Sequence, residues 1–244
     1  MEPMEQIPLT LITGFLGSGK TTIIKNLLKQ KELRNTAVII NEFGDIGLDN
    51  HFIETSNEDL VELSTGCLCC VMRGDLQEAI ARLLRKRLDG FLFDRIILET
   101  TGMADPAPII QSLVLDKTSS PKVILDRVLV TVDSMTGLTS LTEFEEASRQ
   151  VALADILLIT KTDLLTDDTV NLKRELKAIN DNAKIFTSNL GQIDLALVLD
   201  KRDNWTNNYV SKSEDEHFHS HSNISSVSLY SKKPIHAVTL TLFF

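Results

Sequence analysis

The chain has 244 residues, of which 43% are hydrophobic and 24% are charged, and its formal net charge is −9 at pH 7. This composition is typical of a globular protein with one sizeable core. It excludes a membrane span, because no apolar run approaches about 20 residues, and it argues against a nucleic-acid partner, because phosphate backbones attract clustered Lys and Arg. The amino-terminal stretch lacks the basic and apolar regions of a signal peptide. The cysteines number three and lie within residues 67–70, which favours a reducing compartment over a disulfide framework, so we expect a cytosolic protein.

Apolar runs rich in β-branched residues alternate along the chain with segments whose apolar residues repeat at helical spacing. This alternation predicts an α/β fold in which helices cover both faces of a mostly parallel sheet, with ligands beyond the carboxyl ends of the strands. The predicted strands are Leu9–Thr13, Ala37–Asn41, Arg95–Glu99, Val128–Val132, Ile156–Thr160 and Ala183–Phe186. The predicted helices are Thr21–Lys31, Arg73–Asp89, Ala107–Val114, Glu143–Val151 and Thr166–Ile179.

The stretch Gly14–Thr21 matches G-x-x-x-x-G-K-[ST] and lies between the first predicted strand and the first predicted helix. Glycines in such a loop let backbone N–H groups turn inward around an anion, at the positive end of the helix. Lys20 would meet the β- and γ-phosphates and act in catalysis, and the Thr21 hydroxyl would ligate Mg²⁺. The alternative is an ordinary glycine-rich turn. We predict a nucleotide phosphate loop built from Gly14, Gly17, Ser18, Gly19, Lys20, Thr21 and Thr22.

The second informative segment is residues 64–76, which holds Cys67, Cys69 and Cys70. These cysteines are too close in sequence for ordinary disulfides. Three thiolates on a turn can instead converge on a soft or borderline cation such as Zn²⁺, with water, a carboxylate or a histidine as the fourth ligand. Such an open site suits a metal that is passed on. The alternatives are buried small apolar side chains or a redox thiol pair.

The predicted strand over residues 95–99 ends in Glu99, and Gly102 follows shortly after it. An acidic side chain at a strand end can reach the Mg²⁺ shell or orient the attacking water, so we predict a catalytic role for Glu99. The Gly102 backbone could approach the γ-phosphate and sense its presence. The alternative is an acid that only caps the strand before a turn. Asp133, at another strand end, could have a functional or a structural role, and we favour the structural one. No glutamine directly follows Gly102 to position water, so we expect slow hydrolysis.

The motif T-K-x-D, formed by Thr160, Lys161 and Asp163, comes directly after the predicted strand Ile156–Thr160. An aspartate there can accept hydrogen bonds from N1–H and the exocyclic amine of guanine, whereas adenine would leave the carboxylate unpaired. Lys161 would lay its alkyl stem along the base. The alternative is that Asp163 or Thr162 caps the following helix. With a full phosphate loop upstream, the motif predicts GTP as the nucleotide.

The composition and the periodicity of the sequence change near residue 200. Residues 201–223 are polar and without periodicity, which is typical of a linker. His217, His219 and His221 alternate in this segment and could collect Zn, Co or Ni, although a chance cluster is the alternative. Residues 224–244 contain two β-like runs and stop at a hydrophobic strand. We expect a fragment or strands completed elsewhere.

Five motifs now stand in order along the chain: G-F-L-G-S-G-K-T-T, N-E-F-G, G-C-L-C-C, E-T-T-G and T-K-T-D. Together they resemble the CobW-type GTPase metallochaperones, and the resemblance covers about residues 7–200. The C-x-C-C element is the discriminating one, because the related nickel chaperones share the GTPase parts but lack it. The resemblance implies a three-layer P-loop GTPase domain over residues 1–200, the linker 201–223, and over 224–244 the truncated beginning of a smaller α/β domain.

The resemblance also implies roles for individual positions. Glu42 would be a metal ligand beside the cysteines, and Asp45 or Asp49 would contribute near Mg²⁺; a solvated acidic loop is the alternative. GTP binding and slow hydrolysis to GDP would load or release zinc or cobalt for a client apo-metalloprotein, and a homodimer is compatible with the pattern. Two other functions stay open: a GTP-dependent assembly or signalling switch with structural cysteines, and a small-molecule kinase, which the T-K-x-D motif disfavours.

Overall fold

A computed structural model of the chain describes residues 6–41, 60–62, 68–72, 76–115, 122–165 and 168–199. The strands are β1 (Ile7–Gly14), β2 (Thr36–Asn41), β3 (Leu60–Glu62), β4 (Leu68–Met72), β5 (Arg95–Glu99), β6 (Val123–Asp133), β7 (Ile156–Thr160) and β8 (Lys184–Thr187). The helices are α1 (Lys20–Leu27), α2 (Leu76–Leu88), α3 (Ala107–Leu115), α4 (Gly137–Glu143), α5 (Glu145–Ala152), α6 (Val170–Ile179) and α7 (Ala196–Leu199). They surround one sheet of order β3-β4-β2-β5-β1-β6-β7-β8, in which β3 and β4 pair antiparallel and the other strand pairs among the described residues are parallel.

The central strands are apolar on both faces, which is why they form the middle of a covered parallel sheet. In β1, Leu9 and Leu11 pack into one core while Ile12 packs into the other. The first core joins the sheet to α2, α5 and α6, and the second joins the opposite face to α1 and α7. The predicted three-layer α/β fold is therefore confirmed.

Several elements differ from the prediction. The strands β3 and β4 and the helices α4 and α7 were not predicted. Helix α5 begins at Glu145 because Phe144 has an extended backbone that separates it from α4. Helix α6 begins at Val170, whose N–H donates to the Asp168 carboxylate over 3.1 Å, instead of at the predicted residue 166. Helix α1 ends at Leu27, four residues early, and a short 3-10 turn at Lys31–Leu33 follows.

At the amino-terminal edge of the sheet, two arginines hold the end of α7. Arg95, the first residue of β5, donates to the carbonyl of Val198 over 2.6 Å, and Arg127 of β6 donates to the carbonyl of Leu197 over 2.8 Å. Burial lowers the pKa of Arg95, while Asp126 and Asp94 oppose that shift. The guanidinium groups thus satisfy carbonyls that the last turn of a helix leaves without partners.

The predicted linker and carboxyl-terminal segment, residues 201–244, lie outside the described residues, and the domain boundaries proposed for them stay predictions. Within the described ranges, no helix is both long and apolar enough to cross a bilayer.

Candidate nucleotide site

The loop between β1 and α1 folds around the side chain of its own lysine. Gly14, Gly17 and Gly19 have φ values of 143°, 72° and 91°, which side-chain-bearing residues rarely adopt. Lys20 is only 8% exposed, and its ammonium donates to the carbonyls of Gly14 over 2.8 Å and Phe15 over 3.2 Å. A cation held inside a curled loop at a helix amino terminus is suited to bind phosphate.

The phosphate loop is attached to the ends of two neighbouring strands. A Cβ added at Gly14 would lie 2.3 Å from both the carbonyl and the hydroxyl oxygen of Thr131, so only glycine fits there. The hydroxyls of Ser18 and Thr131 are 2.7 Å apart, and the Thr160 hydroxyl donates to the Ser18 carbonyl over 2.8 Å. Thr160 of the T-K-x-D motif therefore holds the loop, while Thr22 lies exposed on α1.

Thr21 and Glu99 meet beside the phosphate loop. The Thr21 hydroxyl donates to a carboxylate oxygen of Glu99 over 2.7 Å, and Glu99 is only 6% exposed. A hydroxyl and a carboxylate are hard oxygen ligands of the kind that Mg²⁺ accepts, so this pair fits that ion.

Gly102 packs against the phosphate loop. A Cβ at this position would lie 2.7 Å from the backbone nitrogen and Cα of Leu16. The amide of Gln150 in α5 donates to the carbonyls of Gly102 over 3.1 Å and Ala104 over 3.0 Å. The loop after β5 is thus held between the phosphate loop and α5, where a change in one can be transmitted to the others. Contact between Gly102 and a γ-phosphate stays a prediction.

The T-K-x-D motif forms a loop with an unusual backbone at Lys161. Lys161 has φ 57°, and its ammonium lies 2.6 Å from the Asp133 carboxylate. Asp163 is exposed, and its carboxylate accepts from the N–H of Leu190 over 3.0 Å. The alternative that Asp163 or Thr162 caps the following helix is wrong, because Asp168 makes the contact to the start of α6.

Sequence reasoning missed the loop after β8, which borders the T-K-x-D loop. The side-chain amide of Asn26 in α1 donates to the carbonyls of Leu190 and Gly191, and both of these residues have positive φ. The Ser188 hydroxyl is buried and makes no hydrogen bond to the described residues. The available signal was position: this loop follows a strand of the same parallel sheet, so it reaches the same edge as the other motifs.

The cysteine segment departs from its prediction. Cys69 and Cys70 belong to β4 instead of a turn, and they pair with Val38 and Ile39 of β2. The register places Met72, not a cysteine, level with Asn41 at the carboxyl end of β2. Cys67, Glu42, Asp45, Asp49 and the three histidines lie outside the described residues. Among the residues that the structure describes, no group of three or more His, Cys, Asp or Glu side chains is arranged to hold a metal.

Comparison with known proteins agrees with this geometry. The chain is 38% identical over 196 residues to the zinc chaperone YjiA of Escherichia coli, covering 80% of this chain and 61% of that protein. It is 32% identical over 199 residues to the zinc-regulated GTPase metalloprotein activator 1 of Schizosaccharomyces pombe, covering 78% of this chain and 48% of that protein. The chain thus spans about half to three-fifths of the length of these relatives.

Solved structures of YjiA share the fold. The Zn(II)-bound YjiA GTPase superposes with a TM-score of 0.70 at 35% identity, covering 88% of this chain and 68% of that one. A Zn(II)-bound triple mutant of YjiA, with one glutamate and two cysteines replaced by alanine, matches equally well. Residues 8–187 match the family described as CobW/HypB/UreG, nucleotide-binding domain. The chain belongs to the CobW/HypB/UreG family.

Proposed function

We propose that this chain binds GTP, hydrolyses it slowly to GDP, and uses the cycle to carry a divalent metal to a client apo-metalloprotein. Zinc is the favoured cargo and cobalt the second choice, with Cys67, Cys69 and Cys70 as ligands and Glu42 beside them. The observation that carries the proposal is the phosphate loop with Lys20 inside it, on the same sheet edge as Asp163. The zinc chaperone and GTPase names of the relatives support it.

The described side chains fit the reaction. Lys20 would bind the β- and γ-phosphates, and its charge would stabilise negative charge that develops as the terminal phosphate leaves. Thr21 and Glu99 would hold Mg²⁺, which neutralises phosphate charge when bound. Gly102 is followed by Met103 and not by a glutamine that could orient water, and this supports slow intrinsic hydrolysis.

A second candidate is favoured by the position of the cysteines. Cys69 and Cys70 lie within the paired part of β4, where cysteine commonly serves as a small buried apolar residue. On this alternative, the chain is a GTP-dependent assembly or signalling switch, and the thiols have a structural role only.

Competitive zinc titration separates the two functions. Because a YjiA triple mutant that lacks two cysteines is Zn(II)-bound, the zinc content after purification is not a sufficient measurement. We would titrate wild type against a chelator of known affinity and compare it with a Cys67→Ser/Cys69→Ser/Cys70→Ser variant. A His217→Ala/His219→Ala/His221→Ala variant is the matched control for the other candidate ligands.

If the chain is a metal carrier, the cysteine variant should lose at least about 100-fold in zinc affinity at the tightest site, because thiolates are strong zinc ligands. The histidine variant should keep that site. Equal affinities for wild type and the cysteine variant, with GTP hydrolysis intact in both, would favour the switch.

A further inference from the structure

Strands β6 and β7 end side by side, and the residues at these ends are joined. Asp133, the last residue of β6, pairs in register with Thr160, the last residue of β7, so Lys161 directly follows the paired position. The Asp133 side chain is 7% exposed and the Lys161 side chain is 38% exposed, and they form an ion pair with a 2.6 Å separation. The carboxylate is therefore a fixed, nearly buried anchor for a cation that lies at the surface.

Further hydrogen bonds set the direction of both groups. The second carboxylate oxygen of Asp133 accepts from the N–H of Met135 over 2.8 Å, so the carboxylate cannot rotate freely. The Ser134 N–H donates to the Thr160 carbonyl over 3.0 Å, and the Ser134 hydroxyl donates to the Lys161 carbonyl over 3.0 Å. Residues 133–134 thus hold both ends of Lys161, its backbone and its ammonium.

Lys161 has a backbone conformation that residues with side chains rarely adopt. Its φ is 57°, in the left-handed region that normally costs a lysine conformational free energy. Such a conformation persists when the surrounding contacts impose it, and here the contacts come from Ser134 and Asp133. This strained residue lies two positions before Asp163, whose carboxylate is expected to bind the guanine base. The contacts that hold Lys161 therefore also determine the position of the Asp163 carboxylate.

We propose that Asp133 is a positioning residue for base recognition. By holding the ammonium of Lys161 at its far end, it orients the alkyl stem along the plane that a guanine base would occupy, and it leaves the base in reach of Asp163. Asp133 acts through Lys161 and does not touch the nucleotide. This inference rests on the proposed function, since it requires that the chain selects guanine nucleotides.

The role predicts an effect confined to the base. Phosphate contacts and packing of the Lys161 stem on the ring are common to guanine and adenine diphosphates, whereas the hydrogen bonds to Asp163 are made by guanine alone. Replacing Asp133 by Asn should therefore weaken GDP binding by about tenfold, which is the size expected for one charge-assisted contact. The affinity for ADP should stay unchanged. The GDP-over-ADP preference should fall by the same factor.

The experiment measures dissociation constants of fluorescent N-methylanthraniloyl GDP and ADP for wild type, Asp133→Asn, Ser134→Ala and Lys161→Met. Asp126→Asn is the matched control, because Asp126 also pairs with a cation over 2.6 Å and lies in the same strand, away from the carboxyl-terminal edge. Thermal melting of each variant reports its fold, and Ser134→Ala, which removes only the bond to the Lys161 carbonyl, should lower the preference in the same direction.

Two results identify an action through Lys161. In the Lys161→Met background, Asp133→Asn should give no additional loss of GDP affinity, since non-additivity marks residues that act as a unit, and Asp126→Asn should leave the preference intact. Equal losses of GDP and ADP, or additive losses in the double variant, would overturn the inference. If the wild-type protein does not prefer GDP over ADP, both the proposed function and the inference are overturned. If the wild-type preference survives the Asp133→Asn substitution, the inference alone is overturned.

Discussion

Lys20 combines three properties at one position. It begins α1, it is nearly buried, and its ammonium is held by two carbonyls of the preceding loop. A cation with this little exposure is poorly screened by water and salt, so it acts strongly on any phosphate that enters the loop.

Replacing Lys20 by Ala should therefore abolish most GTP hydrolysis. We expect turnover in a Mg²⁺-containing phosphate-release assay to fall by about 100-fold or more, in line with the loss of one preorganised electrostatic contact. Lys29→Ala, an exposed change beyond the end of the same helix, is the control and should leave turnover near wild type. Equal turnover in the Lys20 variant would contradict the assignment of the phosphate loop.

Helix α5 is the element that holds the loop after β5. Besides the two hydrogen bonds from Gln150, Arg149 pairs with Asp105 over 3.3 Å and with Glu145 over 2.6 Å. The hydrogen bond to Glu145 is the main cause of the raised pKa of Arg149. The ion pairs are exposed and contribute little, so the hold of α5 on this loop depends mainly on the buried amide of Gln150.

The variant Gln150→Ala tests this hold. It leaves the carbonyls of Gly102 and Ala104 without their donor, so we expect a loss of about 1–3 kcal/mol in the free energy of unfolding by urea and a lower rate of GTP hydrolysis. Gln77→Ala is a matched control, because Gln77 also donates to two acceptors, both of Ser112 in α3. It should cost stability without changing hydrolysis. Identical hydrolysis rates in the two variants would show that α5 does not influence the site.

The elements predicted from sequence were those whose signal is local. Strands β5 and β7 have the predicted bounds. Runs such as Ile96–Leu98 are apolar on both faces, so the prediction did not depend on deciding which face of the strand is buried. Strand β4 was missed because its cysteines were interpreted by their metal chemistry, although Leu68, Val71 and Met72 complete an apolar run that is equally typical of a buried strand.

The contacts within the site depend on the order of the strands in the sheet, so they could not be predicted from short segments of the sequence. Gln150 and Gly102 are 48 positions apart, and Lys161 and Asp133 are 28 positions apart. Each pair forms only because β5, β1, β6 and β7 are neighbours in that order. The motifs themselves were visible in sequence, whereas the residues that hold them in place, Gln150, Asn26 and Asp133, carry no motif.

At the scale of the whole molecule, the nucleotide loops share one edge of the sheet, and β2 ends at that same edge with Asn41, the residue that precedes Glu42 in sequence. We expect GTP to favour one arrangement of residues 41–49 and of the loop 99–105, and this arrangement to carry Glu42 toward the cysteines. A difference of about 1–3 kcal/mol, or roughly 5–150-fold in zinc affinity, is typical of such coupling, and linkage requires zinc to shift GTP binding by the same factor.

Competitive zinc titration in the presence of a non-hydrolysable GTP analogue and of GDP measures this coupling directly. The affinities should differ, and Glu42→Gln should reduce the difference. The Cys67→Ser/Cys69→Ser/Cys70→Ser variant is the control that should abolish it. Indistinguishable affinities in the two nucleotide states would leave a GTPase that carries a metal without being switched by it.

The two arginines that hold the end of α7 lie at the edge of the sheet opposite the nucleotide loops. Nucleotide loops occupy the carboxyl-terminal edge of the sheet, whereas Arg95 and Arg127 fasten residues 197–198 near the start of β5. Residues 197–198 therefore lie about one strand length from the site, roughly 16 Å at about 3.3 Å per residue. A change at the phosphate loop can reach residues 197–198 through α1, because Ile23, Ile24 and Leu27 of that helix pack in the same core as Leu197 and Val198. The nucleotide state could therefore be transmitted through α1 to the opposite edge of the sheet.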